Sequence, residues 1–133
     1  MKVVAIGGSS APHSYNLMLL NYMKKHFLDL EMSVFSVRGL PLLNEDAALP
    51  DSLKDLSDQI DAAEAVIIAS PEYNHSVTSA LKSVMEWLSA SVHPLHHKPV
   101  MLVGASTHVQ GSARSQIHLR DILLSPGIQA SVF

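Results

Sequence analysis

The residues best suited to chemistry fall in three short polar stretches, each placed directly after an apolar run. The first is Gly7-Gly8-Ser9-Ser10-Ala11-Pro12-His13-Ser14-Tyr15-Asn16, which gathers glycines, serine hydroxyls and an amide. Amide N–H groups and the positive end of a helix at such a turn suit a phosphate. No Lys-Ser or Lys-Thr follows a glycine, so this is not a Walker loop. Glycines two and five positions beyond Gly7 are absent, so the dinucleotide fingerprint is missing too. The same residues also read as a plain helix start with Ser14 as its cap.

The second stretch, Ser70-Pro71-Glu72-Tyr73-Asn74-His75-Ser76, ends the most apolar run of the chain. A flat ring needs backbone and amide donors along its edge and a surface to stack on, and this segment offers both. An ordinary turn, with Pro71 as a stop and Ser76 as a helix cap, leaves the pairing of Tyr73 with Asn74 unexplained. The third stretch, Gly104 to Ser112, is again small and polar ahead of a helix. Its weight comes from where the other two lie.

The elements between them must deliver all three to one place. Met1 to Ile6 reads as a buried strand, and Leu19, Leu20, Met23 and Phe27 recur at helical spacing. Met32 to Val37 is a second strand, less purely apolar and therefore nearer a sheet edge. Gly39 to Pro50 reads as a loop, and Leu53, Leu56, Ile60 and Ala63 mark a second helix with Asp51 as its N-cap. Ala65 to Ala69 is the clearest strand. Leu81, Val84, Met85 and Leu88 form a third helix face, Val100 to Val103 a fourth strand, and Leu119, Ile122 and Leu123 a fourth helix. Gln129 to Phe133 opens a fifth strand. Alternation of strand and helix predicts a parallel sheet covered on both faces. In such sheets ligands sit beyond the carboxyl ends of the strands, where the strand order reverses.

The bulk numbers set the frame. A chain of 133 residues is expected to form one domain, and with 47% hydrophobic residues it can bury a core. The formal charge of −3 argues against a nucleic-acid binder, which needs a basic face. With no cysteine, disulfides, thiolate metal sites and cysteine nucleophiles are excluded. The opening apolar run stops at Gly7, too soon for a signal peptide or a membrane span, so a soluble cytoplasmic protein is expected.

At the three loops the sequence resembles the NADPH-dependent FMN reductase family, which includes bacterial quinone, azo and chromate reductases. The family's Gly-Ser-x-Arg-x-x-Ser-x-Asn reads here as Gly8-Ser9-Ser10-Ala11-Pro12-His13-Ser14-Tyr15-Asn16. Its Pro-Glu-Tyr-Asn-x-Ser stands intact as Pro71 to Ser76, followed by Leu81-Lys82 and the Glu86-Trp87 pair. A third stretch, Gly111-Ser112-Ala113-Arg114-Ser115-Gln116 to Leu119-Arg120, is similar to the family's Gly-Gly-x-Arg-x-Gln-x-x-Leu-Arg.

The resemblance implies a flavodoxin-like α/β fold, a doubly wound five-stranded parallel sheet in the order 2-1-3-4-5, here lacking the final helix. It implies one FMN-binding domain over residues 1–133, short at its C-terminus. Ser9, Ser14, Tyr15 and Asn16 would hold the FMN phosphate. Pro71, Glu72, Tyr73, Asn74 and Ser76 would line the isoalloxazine, with Ser106 closing the other side. NADPH or NADH would supply electrons to a small acceptor such as a quinone, azo compound, free flavin or metal oxyanion. Because hydride chemistry belongs to the flavin, no catalytic acid, base or nucleophile is nominated. A homodimer or homotetramer is expected, with neither nucleic acid nor membrane as partner.

The chain departs from the family pattern in places. Ala11 stands where the family has arginine, removing a charge-assisted phosphate contact. Thr78-Ser79 replaces Pro-Gly, and His108 replaces a common glycine, which would narrow the acceptor pocket. The Thr78-Ser79 change affects only the helix entry, whereas Ala11, His108 and the short C-terminus favour a rival reading, a flavin-binding protein or electron carrier without turnover. A missing last helix would leave one sheet face partly bare and drive association. His93, His96 and His97 cluster near Pro94, away from the ligand end, and read as a solvated connector rather than a metal site. His118 reads as a surface or interface residue. Glu86 and Trp87 read as packing and solvent-face residues, with a dimer interface the alternative for Trp87.

Overall fold

The computed structural model describes all residues from Met1 to Phe133. Five parallel strands, β1 (Lys2–Gly7), β2 (Glu31–Ser36), β3 (Ala65–Ala69), β4 (Pro99–Val103) and β5 (Ser131–Val132), alternate with four helices. The helices are α1 (Tyr15–His26), α2 (Asp51–Asp61), α3 (Ser79–Ser91) and α4 (Ala113–Leu123). Strand order is β2-β1-β3-β4-β5, as expected, and β2 lies at an edge. In register, Ile6 pairs with Ile68 and Gly7 with Ala69, while Ala69 also pairs with Val103. The three polar loops therefore leave the sheet from adjacent strands at one level.

Both faces of the central strands are apolar because each must bury two sides. One core layer, built on Val4, Ile6, Val66 and Ile68, packs against Leu53, Leu56 and Ile60 of α2, Leu81, Met85 and Leu88 of α3, and Leu119 and Leu123 of α4. The other, on Val3, Ala5 and Ile67, meets a single helix, α1, through Leu20, Met23 and the partly buried Leu19. The coverage is uneven, and Met101 of β4 stays half exposed. An apolar groove of about 310 Å³ opens there, lined by Met1, Val3, Phe27, Ile67, Met101 and Phe133 among others. It lies at the amino ends of the strands, opposite the polar loops.

Local chemistry corrects two expected helix caps. Asp51 does not cap α2. Pro50 occupies the cap position, its extended backbone making the turn, and Asp51 begins the helix paired to Lys54 at 2.8 Å. Ser76 does not cap α3 either; the Thr78 hydroxyl does, accepting from Leu81 N–H at 3.1 Å. Trp87 is buried, in line with its reading as a packing residue, and its indole N–H donates to the Pro41 carbonyl at 3.1 Å. The neighbouring Glu86 pairs with Lys82 one turn earlier.

Candidate functional site

Ser14 caps α1 as expected, its hydroxyl accepting from Leu17 N–H at 3.3 Å. That leaves Tyr15 and Asn16 as the first helical residues, whose own N–H groups have no acceptor inside the helix. Two glycines let the loops close in. A Cβ on Gly8 would stand 2.7 Å from Leu81 Cδ2, and one on Gly104 would fall 1.7 Å from Ser112 Oγ. Larger residues would push the first loop off α3 and the third loop off the start of α4.

The loops are stitched to one another. Gly8 N–H donates to the Ala69 carbonyl at 2.9 Å, and Ser70 N–H to the Val103 carbonyl at 3.0 Å. The Thr78 hydroxyl donates to the Gly8 carbonyl at 2.6 Å. Asn16, which is buried, bonds Ala105 through both ends of its amide. Ser9 Oγ accepts from Ala11 N–H at 3.2 Å and lies 3.5 Å from the Tyr73 hydroxyl.

Between the loops lie two adjoining clefts that together make up a slot. One part, about 270 Å³, is lined by Ser9, Ala11 and His13 to Asn16 from the first loop, Pro71 to Tyr73 from the second, and Ala105 to His108 from the third. The other part, about 370 Å³, is lined by Glu72, Asn74, His75, Ser106, His108, Gln110 and Gly111. Glu72, Ser106 and His108 border both parts. Together they reach the size range of small-molecule sites. The Tyr15 and Tyr73 rings, each about half exposed, flank the first part and offer stacking surfaces.

Every sequence-predicted site residue lines this slot except Ser76. Ser76 closes a tight turn with Tyr73 by two backbone bonds, at 3.0 and 3.1 Å, and its hydroxyl lies 3.0 Å from His118 Nδ1. The reversal carries it out of the slot, and gives His118 a contact inside the chain. Asn74 and His75, at the centre of this turn, have φ of 49° and 63°. Such paired positive values define the mirror-image turns that usually take Asn-Gly.

Glu72 also differs from expectation, because its carboxylate faces α4. Oε2 accepts from Arg114 N–H at 2.9 Å and Ser115 N–H at 3.2 Å, and Oε1 lies 3.1 Å from His75 Nδ1. The His75 bond holds the Glu72 carboxyl below the usual carboxylate range; partial burial opposes this, and the Ser115 and Arg114 amides add to it. Sequence reasoning missed His75, Thr107, Gln110 and Gly111 as lining residues. Their only sequence signal was membership of the polar loops.

No lysine or arginine lines either part, and Glu72 is the only acid. That acid is already matched by three donors. The slot therefore presents hydroxyls, amides and a helix start to a phosphate at one end, and amides and imidazoles to a flat polar-edged ring at the other. These residues fit FMN, with neutral groups where a cation would strengthen the phosphate contact. Elsewhere, no group of three or more His, Asp or Glu side chains is placed to hold a metal ion.

A parallel sheet in this order, with its site beyond the carboxyl ends, is flavodoxin-like. The family model described as NADPH-dependent FMN reductase matches residues 1–132, and the chain belongs to that family of FMN-dependent NAD(P)H reductases. It is 43% identical over 133 residues to the NADH:(hydroxy)cinnamate reductase subunit CrdA of Vibrio ruber, the match covering 98% of this chain and 66% of that protein. It is 36% identical over 131 residues to the quinone reductase of Escherichia coli, covering 93% of this chain and 70% of the other. Among solved structures, the flavoenzyme NAD(P)H:(acceptor) oxidoreductase FerB of Paracoccus denitrificans superposes with a TM-score of 0.80 at 28% identity, over 98% of this chain and 80% of that one. The chain thus spans about two thirds of the length of its Vibrio relative. No helix is long and apolar enough to cross a membrane.

Proposed function

We propose that this chain binds FMN in the three-loop slot and works as an NAD(P)H-dependent reductase of a small acceptor, such as a quinone, azo compound, free flavin or metal oxyanion. The observation that carries the reading is convergence. Loops that leave β1, β3 and β4, far apart in sequence, form one slot and are bonded to each other across it. The α1 start, with the N–H groups of Tyr15 and Asn16 and the hydroxyls of Ser9 and Ser14, would hold the phosphate. Pro71, Glu72, Tyr73 and Asn74 would border the ring on one side and Ser106 on the other.

When bound, FMN supplies the two-electron exchange between nicotinamide and acceptor. The chain's own contribution is to orient and to shield. Asn74 and the loop backbone would place N–H donors where negative charge gathers. His75, His108 and Gln110 would border the acceptor's approach, making the entrance narrow and polar. Reduced nicotinamide is a cytoplasmic donor, so that compartment goes with the proposal, as does assembly as a homodimer or homotetramer.

A second reading, flavin binding without turnover, is favoured by Ala11 and by a phosphate end without lysine or arginine. One experiment separates them. Purified protein titrated with FMN should quench flavin fluorescence at one site per chain, and anaerobic NADPH or NADH should then bleach the bound flavin. Binding without bleaching would establish the second reading; no binding would remove both.

A further inference from the structure

On the reading that the slot holds FMN, we propose that Glu72 is a positioning residue: its side chain braces the ring-binding loop against α4 and so sets the width of the slot. His75 is the outer stay of that brace.

Three features point this way. The first is the set of three donors around one carboxylate that is only 10% exposed. The second is an omission at the helix itself. Ser112, the residue in the cap position of α4, makes no capping bond; its hydroxyl accepts from the Gln116 amide at 2.9 Å instead. The N–H groups of Arg114 and Ser115 would otherwise lack acceptors, and Glu72 supplies them from a distant loop. The third is backbone conformation. His75 sits at φ 63°, where glycine is at ease and histidine is strained, and in that position its ring reaches Glu72.

The neighbouring bonds follow the same plan. Ser115 Oγ donates to the Pro71 carbonyl at 2.9 Å, and His118 meets Ser76. Residues 114, 115 and 118 share one face of α4, so the whole second loop is fastened along it. Since α4 also carries the end of the third loop, this fastening fixes the gap bordered by Asn74 and His75 on one side and Ser106, His108 and Gln110 on the other. The carboxylate is already engaged by these three partners.

The test uses Glu72→Gln, which keeps shape and one oxygen but removes the charge. Titrations with FMN and with riboflavin, which lacks the phosphate, should both weaken by the same factor, about tenfold or more. An unchanged affinity for both, in a wild-type background that binds them, overturns the proposal, as does a loss confined to FMN. A readout without flavin runs in parallel. In wild-type protein the amide NMR signals of Arg114 and Ser115 should titrate together in acid, and in Glu72→Gln they should stay flat; wild-type signals that do not move overturn the brace. If wild type binds no flavin, the FMN reading falls, while the amide titration still decides whether the brace exists. Should Glu72→Gln fail to fold, His75→Gly serves, because it relieves strain and leaves the α4 bonds in place. There the shared acid inflection should move up towards the usual glutamate range, and an inflection that stays where it was overturns the role given to His75.

Discussion

The Asn16 side chain and the Ala105 backbone form a closed pair: the amide nitrogen donates to the Ala105 carbonyl at 3.2 Å, and Ala105 N–H returns a bond to Asn16 Oδ1 at 3.1 Å. This pair fixes the first loop to the third across the mouth of the slot. On the proposed reading, Asn16 would therefore act on a bound phosphate through its backbone and through the loop it holds, more than through a free amide.

Replacing Asn16 should loosen the third loop. Asn16→Ala leaves the Ala105 groups without partners and should lower stability by about 1–3 kcal/mol, with FMN affinity falling as well. Asn16→Asp keeps the acceptor for Ala105 N–H but sets an anion against the Ala105 carbonyl, so it should do no better than alanine. Thermal melts and flavin titration of both variants check this; a third loop as firm as wild type in Asn16→Ala would contradict it.

Ala11 lines the part of the slot proposed to hold the phosphate, where no lysine or arginine stands. Ala11→Arg should add a charge-assisted bond and tighten FMN binding about tenfold to a hundredfold. Riboflavin, without phosphate, should bind the variant as it binds wild type. Equal gains for both ligands would place the phosphate elsewhere.

Thr78 does two jobs with one hydroxyl, accepting from Leu81 N–H and donating to the Gly8 carbonyl. Thr78→Val keeps the shape and loses both bonds, and should cost about 1–3 kcal/mol in denaturant unfolding. Thr78→Ser should recover most of the loss. A valine variant as stable as wild type would mean the first loop is held by packing alone.

Because the Glu72 carboxyl is held below the usual range in the folded chain, ionised Glu72 favours folding. That contribution is complete above the ordinary glutamate value of about 4.3 and is lost as pH falls from there through the lower folded value. The difference in Tm between wild type and Glu72→Gln should accordingly be constant near neutrality and shrink below pH about 4. A gap that widens in acid would reverse the sign.

Much of this architecture can be read from residue order. Apolar runs such as Val66-Ile67-Ile68 and helical stripes such as Leu81, Val84, Met85 and Leu88 act over short range, so periodicity exposes them. The three loops stand out by composition for the same reason. What stays hidden is pairing over distance. Nothing beside Asn16 announces Ala105, and nothing beside Glu72 announces Arg114 and Ser115, because those partners meet only after the sheet has formed. Cap positions fail for a different cause: Ser76 and Thr78 are both cap-forming residues, serine the more so, and the choice of Thr78 goes with the reversed turn at Asn74 and His75. The burial of Trp87 follows from its place on the third helix, but its acceptor, Pro41, lies in a loop with no periodic signal.

The stitching across the slot uses backbone groups and the side chains of Asn16, Glu72, Thr78 and Ser115. Ala11, His13, His108 and Gln110 border the same slot yet hold none of those bonds. Frame and lining are thus carried by separate residues. On the proposed reading, the grip on the phosphate could change at Ala11 and His13, and the preference for one oxidant over another at His108 and Gln110, while the frame that presents them stays as it is.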